Sequence, residues 1–140
     1  MKQILTSTLL TLSLAIPALS QADDREMVEM PPMMQEHMLA NMRDHLEAID
    51  EILDALNQED FDTAAKVAEF RLGMSSLESH GASHMAQVMP AAMREMGTGM
   101  HRAASQFART AQEGDQLRAF RSLRAVTQSC VACHAAYRIR

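Results

Sequence analysis

The residues best suited to chemistry form one short motif near the end of the chain, Cys130-Val131-Ala132-Cys133-His134. Two thiols three positions apart on a helical turn can each add to a vinyl group of haem, and the adjacent imidazole can then reach the iron. The motif therefore predicts one covalently attached haem c. Cys130 and Cys133 would form its thioether bonds, and His134 would be the proximal iron ligand.

Other uses of a paired-cysteine motif fit this chain less well. A structural zinc site usually needs four ligands from two such pairs, and the chain has only 2 cysteines. A thioredoxin-like dithiol would require strands alternating with helices, and no strand pattern lies nearby. A disulfide between cysteines three apart on a helix would be strained, and it would leave His134 without a role.

The beginning of the chain has the pattern of a secretory signal peptide. Lys2 precedes a short apolar run from Ile4 to Ile16, Pro17 ends the run, and small residues precede an expected cleavage after Ala22. Residues 1–22 are therefore predicted to be a signal peptide and residues 23–140 a single domain. Export predicts a periplasmic location, where c-type haem is attached in Gram-negative bacteria.

Composition excludes two classes of partner. The formal net charge is -5 and no basic tract is present, so nucleic acid is not expected to bind. No later segment approaches the roughly 20 apolar residues that a membrane-spanning helix needs. No serine–histidine–aspartate set, catalytic carboxylate pair or phosphate-binding loop occurs, so an enzyme is not predicted.

The spacing of apolar residues predicts an all-α fold, a single up-down four-helix bundle. Long helices are expected over 33–56, from Asp60 to Gly81 at the latest with a weakening near Gly73, over 100–112 and over 116–137. A short helix is expected over 90–96, followed by a break at Gly97 and Gly99. The inward stripe of the first helix would be Leu39, Met42, Leu46, Ile49, Leu53 and Leu56. That of the last would be Leu117, Phe120, Leu123, Val126, Cys130, Cys133 and Tyr137. The haem cysteines would thus face the interior, and no β-strand is predicted.

The last helix resembles that of the cytochrome c prime family, which includes low-spin relatives with a methionine ligand. The resemblance rests on the run Cys130-x-x-Cys133-His134-x-x-Tyr137-Arg138 at the end of an all-helical chain. It implies a haem held by Cys130 and Cys133, with His134 as the proximal ligand and Arg138 close to it. It also allows a homodimer formed through the first two helices.

The resemblance leaves the residue on the other face of the iron open, because two alignments of the first helix are acceptable. One places Leu39 over the iron and implies a five-coordinate haem. The other places Met42 there as the sixth ligand, with Met38 one turn earlier as the reserve candidate. The methionine ligand is the favoured prediction.

Methionine is frequent, with 13 in the chain and six between Met27 and Met42. Filling irregular space around a bulky cofactor is the simpler interpretation; a copper(I) site that includes His37 is the alternative. His80 and His84 lie four residues apart, but Gly81 argues against a helix that would pair them. His45 and His101 are expected to be solvated or satisfied polar residues.

These observations predict a periplasmic monohaem c-type cytochrome that carries single electrons between redox proteins. The alternative is a five-coordinate haem protein that binds nitric oxide or carbon monoxide, which Leu39 over the iron would favour. A copper or stress-related chaperone with haem as a structural element is a third hypothesis, and it depends only on the methionine cluster.

Overall fold

A computed structural model describes residues 23–140, and the predicted signal peptide lies outside them. The described chain is mostly helical, at 74%. Five α-helices and two short strands follow in the order β1 (Glu26–Met27), α1 (Pro32–Asn57), α2 (Phe61–Val67), α3 (Ala82–Met85), α4 (Ala91–Ala111), α5 (Gln116–Ala136) and β2 (Tyr137–Arg138). Within residues 23–140 no helix is both long and apolar enough to cross a membrane.

Helix α1 packs on α2 through a face that differs in part from the predicted stripe. Its buried residues are Ala48, Ile52, Ala55 and Leu56, of which Leu56 was predicted. The predictions for Leu46 and Leu53 are wrong, since these side chains are 72% and 42% exposed. Small residues such as Ala48 let α1 approach its neighbour closely, so the buried line includes positions that an apolar stripe does not mark.

Helix α2 starts where the sequence predicts. The Asp60 side chain accepts a hydrogen bond from the Thr63 backbone N–H at 3.0 Å, which satisfies a free donor of the first turn. The helix continues as a π-helical segment, Ala68–Leu72, and ends before Gly73. Ala64, Ala65, Ala68 and Leu72 are buried, and Phe61 packs half-buried against them.

Helix α4 is one continuous element, so the predicted break at Gly97 and Gly99 is wrong. A glycine inside a helix costs only about 1 kcal/mol relative to alanine. Burial of Met93, Met100 and Phe107 on one face of α4 offsets that cost. Burial of side chains along the whole of α4 therefore outweighs the helix-breaking tendency of Gly97 and Gly99.

Helix α5 begins as predicted, because Gly114 adopts a left-handed turn and Asp115 caps the helix through the Arg118 N–H at 2.9 Å. It packs along α4. Its buried line is Ala119, Leu123 and Val126. The predictions for Leu117 and Phe120 are wrong, since these side chains are 59% and 40% exposed. Ala119 occupies the tight contact that the sequence analysis assigned to larger residues.

A small parallel strand pair joins the two ends of the described chain, although no strand was predicted. Glu26 pairs with Tyr137 and Met27 with Arg138. The Val28 N–H then donates to the Arg138 carbonyl at 2.8 Å, and the Val28 side chain is 4% exposed. Two-residue strands carry too little alternation to be recognised in a sequence. The pair orders the segment before α1 and fixes the backbone just after the motif at Cys130–His134.

Candidate cofactor cavity

Helices α1 and α5 run antiparallel and are tied together near their ends. At one end the Gln116 side-chain amide donates to the Leu56 carbonyl at 2.9 Å. At the other end the Gln35 side-chain amide donates to the Ile139 carbonyl. Between these two ties the helices enclose a cavity of about 390 Å³. A volume of this size lies within the range of about 300–1,000 Å³ that is usual for cofactor and ligand sites.

The wall formed by α5 contains the complete motif, because Cys130, Cys133 and His134 all line the cavity. Both cysteines are free thiols and half-buried. Burial raises the pKa of the Cys130 thiol, and burial together with Cys130 raises that of Cys133. The two groups are therefore neutral thiols at pH 7, in contrast to the low-pKa thiolates of redox-active dithiols. The prediction that this motif faces inward agrees with this placement, and His134 lies at the exposed rim.

The opposite wall carries methionines in the places where a distal ligand would come from. Met38 and Met42 line the cavity from α1, whereas Leu39 is not among its lining residues. Further methionines complete the lining from α3, α4 and the turn between them, at Met85, Met89, Met96 and Met100. The walls are thus mainly apolar and deformable, as expected around a flat, bulky group.

Three histidines lie together in the same wall, although the sequence analysis gave none of them a site. The imidazole centroids of His45 and His80 are 4.8 Å apart, and those of His80 and His101 are 5.6 Å apart. All three line the cavity, and His101 is 8% exposed. His101 is therefore not solvated, and its hydrogen bond to the Leu72 carbonyl agrees with the expectation of a satisfied polar residue. Residues 45, 80 and 101 come from α1, a loop and α4, so no sequence spacing signals their meeting.

His80 is held in place through its backbone. Its carbonyl accepts a hydrogen bond from His37 Nε2 at 2.9 Å and another from the Asn41 amide at 3.0 Å. The next residue, Gly81, has φ of 62°, a conformation that side chains with a Cβ rarely adopt. A Cβ at Gly81 would lie 3.1 Å from His37 Nε2. The glycine therefore permits the loop to approach α1 and deliver His80 to the cavity.

The three imidazoles are neutral at pH 7. Burial lowers the pKa of His45 to about 4, helped by His80 and His101, while Asp44 opposes the shift. Burial also lowers the pKa of His80 and of His101. His101 Nδ1 donates to the Leu72 carbonyl at 2.7 Å, which leaves its Nε2 as the unprotonated nitrogen.

The methionines between Met27 and Met42 lie in separate parts of the structure. Met27 lies in β1, where its sulfur is 3.8 Å from Arg138 Nη1. Met33 and Met34 line a separate open depression of about 380 Å³, together with His37 and His84. Met38 and Met42 belong to the large cavity. The alternative of a single copper(I) site on the whole methionine run would require all of these residues to converge, and only Met33 and Met34 share a depression with His37.

Arg138 follows the motif and lies against the N-terminal segment. Its Nε is 3.4 Å from Asp23 Oδ2, an ionic contact without a hydrogen bond. Its side chain is 29% exposed. Arg138 therefore lies just beyond the C-terminal end of α5, where a positive charge is favourable. It also contacts the N-terminal segment, which contains β1.

Within residues 23–140, no group of three or more histidine, cysteine, aspartate or glutamate side chains is arranged to hold a metal ion. The chain matches no family model, no curated protein and no solved structure in the comparisons made.

Proposed function

We propose that this protein is a periplasmic monohaem c-type cytochrome, a four-helix bundle that transfers single electrons between redox proteins. One observation carries the proposal. The two thiols and the imidazole of the motif line the same mainly apolar cavity as the thioethers of Met38 and Met42. In this proposal Cys130 and Cys133 hold haem c covalently, and His134 binds the iron from the side of α5.

The donor set of the cavity fits haem better than the other uses of paired cysteines. The thiols are free and neutral, which suits addition to vinyl groups and does not suit a redox dithiol. Zinc would need further thiolate or imidazole ligands arranged around the same point. Haem supplies a one-electron iron couple when bound, and the methionines and Ile49 that line the cavity would shield it from water.

The placement of α1 favours methionine as the sixth ligand. Met42 remains the first candidate and Met38 the reserve, since both line the cavity. Leu39, the residue on which a five-coordinate gas-binding protein would depend, does not line it. A histidine and methionine pair raises the reduction potential of haem iron, which suits an electron carrier.

The optical spectrum of the purified holoprotein tests the function. We expect a low-spin spectrum with the weak far-red band of methionine ligation, unchanged by carbon monoxide or nitric oxide. Met42→Ala should remove that band, whereas Met96→Ala, on another wall of the cavity, should retain it. A high-spin spectrum that shifts when gas is added would contradict the electron-transfer proposal and support gas binding.

The attachment is tested separately with Cys130→Ala and Cys133→Ala together. The double variant should lose its haem in acidified acetone, because no thioether bond would remain. His134→Ala should keep the haem attached and change its ligation. Haem that resisted extraction from the double variant would exclude the thioether assignment.

A further inference from the structure

The nitrogens of His45 and His80 face each other at a distance that is poor for a hydrogen bond. His45 Nε2 and His80 Nδ1 are 3.4 Å apart. Hydrogen bonds to nitrogen donors usually have about 2.7–3.2 Å between heavy atoms, so this contact is long. His80 Nδ1 is also 3.3 Å from Ser76 Oγ, which is a long contact as well. Ser76 gives its own proton to the Gly73 carbonyl at 2.7 Å.

The same separation suits two nitrogens bound to one metal ion. With metal–nitrogen distances of about 2.0–2.1 Å and trigonal or tetrahedral angles, the two nitrogens would lie about 3.3–3.6 Å apart. Both imidazoles are neutral, which is the form that binds metals. His80 is also held rigidly, since its carbonyl accepts hydrogen bonds from His37 and Asn41.

We infer that the His45–His80 pair binds a copper(I) ion in the wall of the cavity, completed by thioether sulfur from Met85, Met89 or Met100. These methionines line the same cavity as the two imidazoles. Thioether and imidazole donors together select copper(I) among the common biological metals. The site is distinct from the alternative copper(I) site that the sequence offers on Met27–Met42 and His37.

The donors of the proposed site favour a monovalent over a divalent ion, because the imidazoles and thioethers are all neutral. The neighbouring carboxylate of Asp44 is directed to Arg71 at 2.5 Å, which also pairs with Glu47 and Glu51. Asp44 is therefore not one of the donors of the site. A divalent ion in the mainly apolar cavity would carry a large uncompensated desolvation cost. Zinc, which also accepts imidazole, is disfavoured on this ground.

The test is an anaerobic titration of the haem-loaded protein with copper(I) against a chromogenic copper(I) chelator. We expect one tightly bound copper per chain. His45→Gln and His80→Gln should each weaken binding by more than about 10-fold, the lower end of the effect known for losing even an indirect partner of a ligand. The matched control is His84→Gln, because His84 is exposed and lines only the neighbouring depression; its copper affinity should be unchanged.

X-ray absorption on the copper-loaded wild-type protein makes the result independent of how the variants fold. The inference predicts both nitrogen and sulfur neighbours around copper. Failure of the wild-type protein to compete with the chelator, or a copper spectrum without nitrogen neighbours, would overturn it. So would a His45→Gln variant that keeps its copper and instead changes the haem spectrum, because His45 would then be an iron ligand. Haem retention in acidified acetone reports on the proposed function separately.

Discussion

Two ends of the same helices are built from different side chains. Where α1, α2, α4 and α5 touch, the buried residues are largely alanines, and a few large side chains such as Phe107 and Ile52 fill the centre. Where α1 and α5 enclose the cavity, the lining residues are largely methionines and histidines. Alanine permits close helix contact, whereas methionine adapts to a cavity and its contents. Side-chain size thus determines where the helices pack closely and where the cavity opens between them.

Removing the largest side chain of the packed end should have the largest effect on stability. Phe107 is completely buried, so Phe107→Ala leaves an unfilled space and should lower the free energy of unfolding by about 3–5 kcal/mol. Urea unfolding followed by circular dichroism measures the change. Met89→Ala, at the cavity, is the matched control and should cost clearly less. Equal losses would show that the two ends are packed alike.

Lowering the pH should destabilise the folded protein, because His45 is half-buried and neutral at the cavity. Above pH 6.5 this histidine is neutral in both the folded and the unfolded protein. Between pH 6.5 and about 4, His45 takes up a proton in the unfolded chain but not in the folded protein. The free energy of unfolding therefore decreases as the pH is lowered through this range. The full loss is about 3 kcal/mol, from about 1.4 kcal/mol for each pH unit between the two pKa values.

Unfolding of the copper-free protein in chelator measures this dependence between pH 7 and 4. His80 and His101, whose pKa values are also lowered, should add to the slope. The His45→Gln variant has no titratable group at this position, so its free energy of unfolding should depend less steeply on pH. A slope unchanged by the substitution would assign the acid sensitivity to other groups.

Enlarging a side chain should destabilise the closely packed end of the helices more than a volume-conserving change destabilises the cavity end. Ala119 is completely buried at the contact of α5 with α4, and Ala119→Leu should cost about 1–3 kcal/mol by forcing the helices apart. Met96→Leu, which keeps volume nearly constant at the cavity, should cost less than about 1.5 kcal/mol. Thermal unfolding distinguishes them, and a harmless Ala119→Leu would contradict the close contact.

The smallest expected effect is a gain in stability within α4. A Cβ at Gly99 would meet no atom within 4 Å, so Gly99→Ala should stabilise the protein by about 0.5–1 kcal/mol. Gly97 also has free space for a Cβ but lines the cavity. Gly97→Ala should therefore give a similar gain in helix stability while placing its methyl group at the cavity. A loss of stability at Gly99 would indicate that α4 is not continuous there.

The features that the sequence predicts well are those fixed by neighbouring residues. The helix starts predicted at Asp60 and at residue 116 depend on contacts within a few positions, and both are found. Asp60 and Asp115 cap the two helices, and Gly114 forms the turn before the second. The inward placement of Cys130 and Cys133 follows from helical spacing and is also found.

The features that the sequence missed depend on distant segments. The buried faces of α1 and α5 were only partly predicted: Leu56, Leu123 and Val126 are buried as expected, whereas Leu46, Leu53, Leu117 and Phe120 are exposed. Close helix contact favours alanine over leucine, which an apolar periodicity does not distinguish. The continuity of α4 depends on burial along its whole length. The meeting of His45, His80 and His101 requires the loop at Gly81 to approach α1, a contact that spacing along the chain cannot encode.

The mass of the intact protein, purified from the periplasm of a host that attaches c-type haem, tests the central claim most directly. The account predicts a polypeptide that carries the mass of one haem under denaturing conditions, and the Cys130→Ala, Cys133→Ala double variant should lack it. A wild-type protein with only the mass of its polypeptide would contradict the account, since the cavity would then serve a ligand other than covalently bound haem.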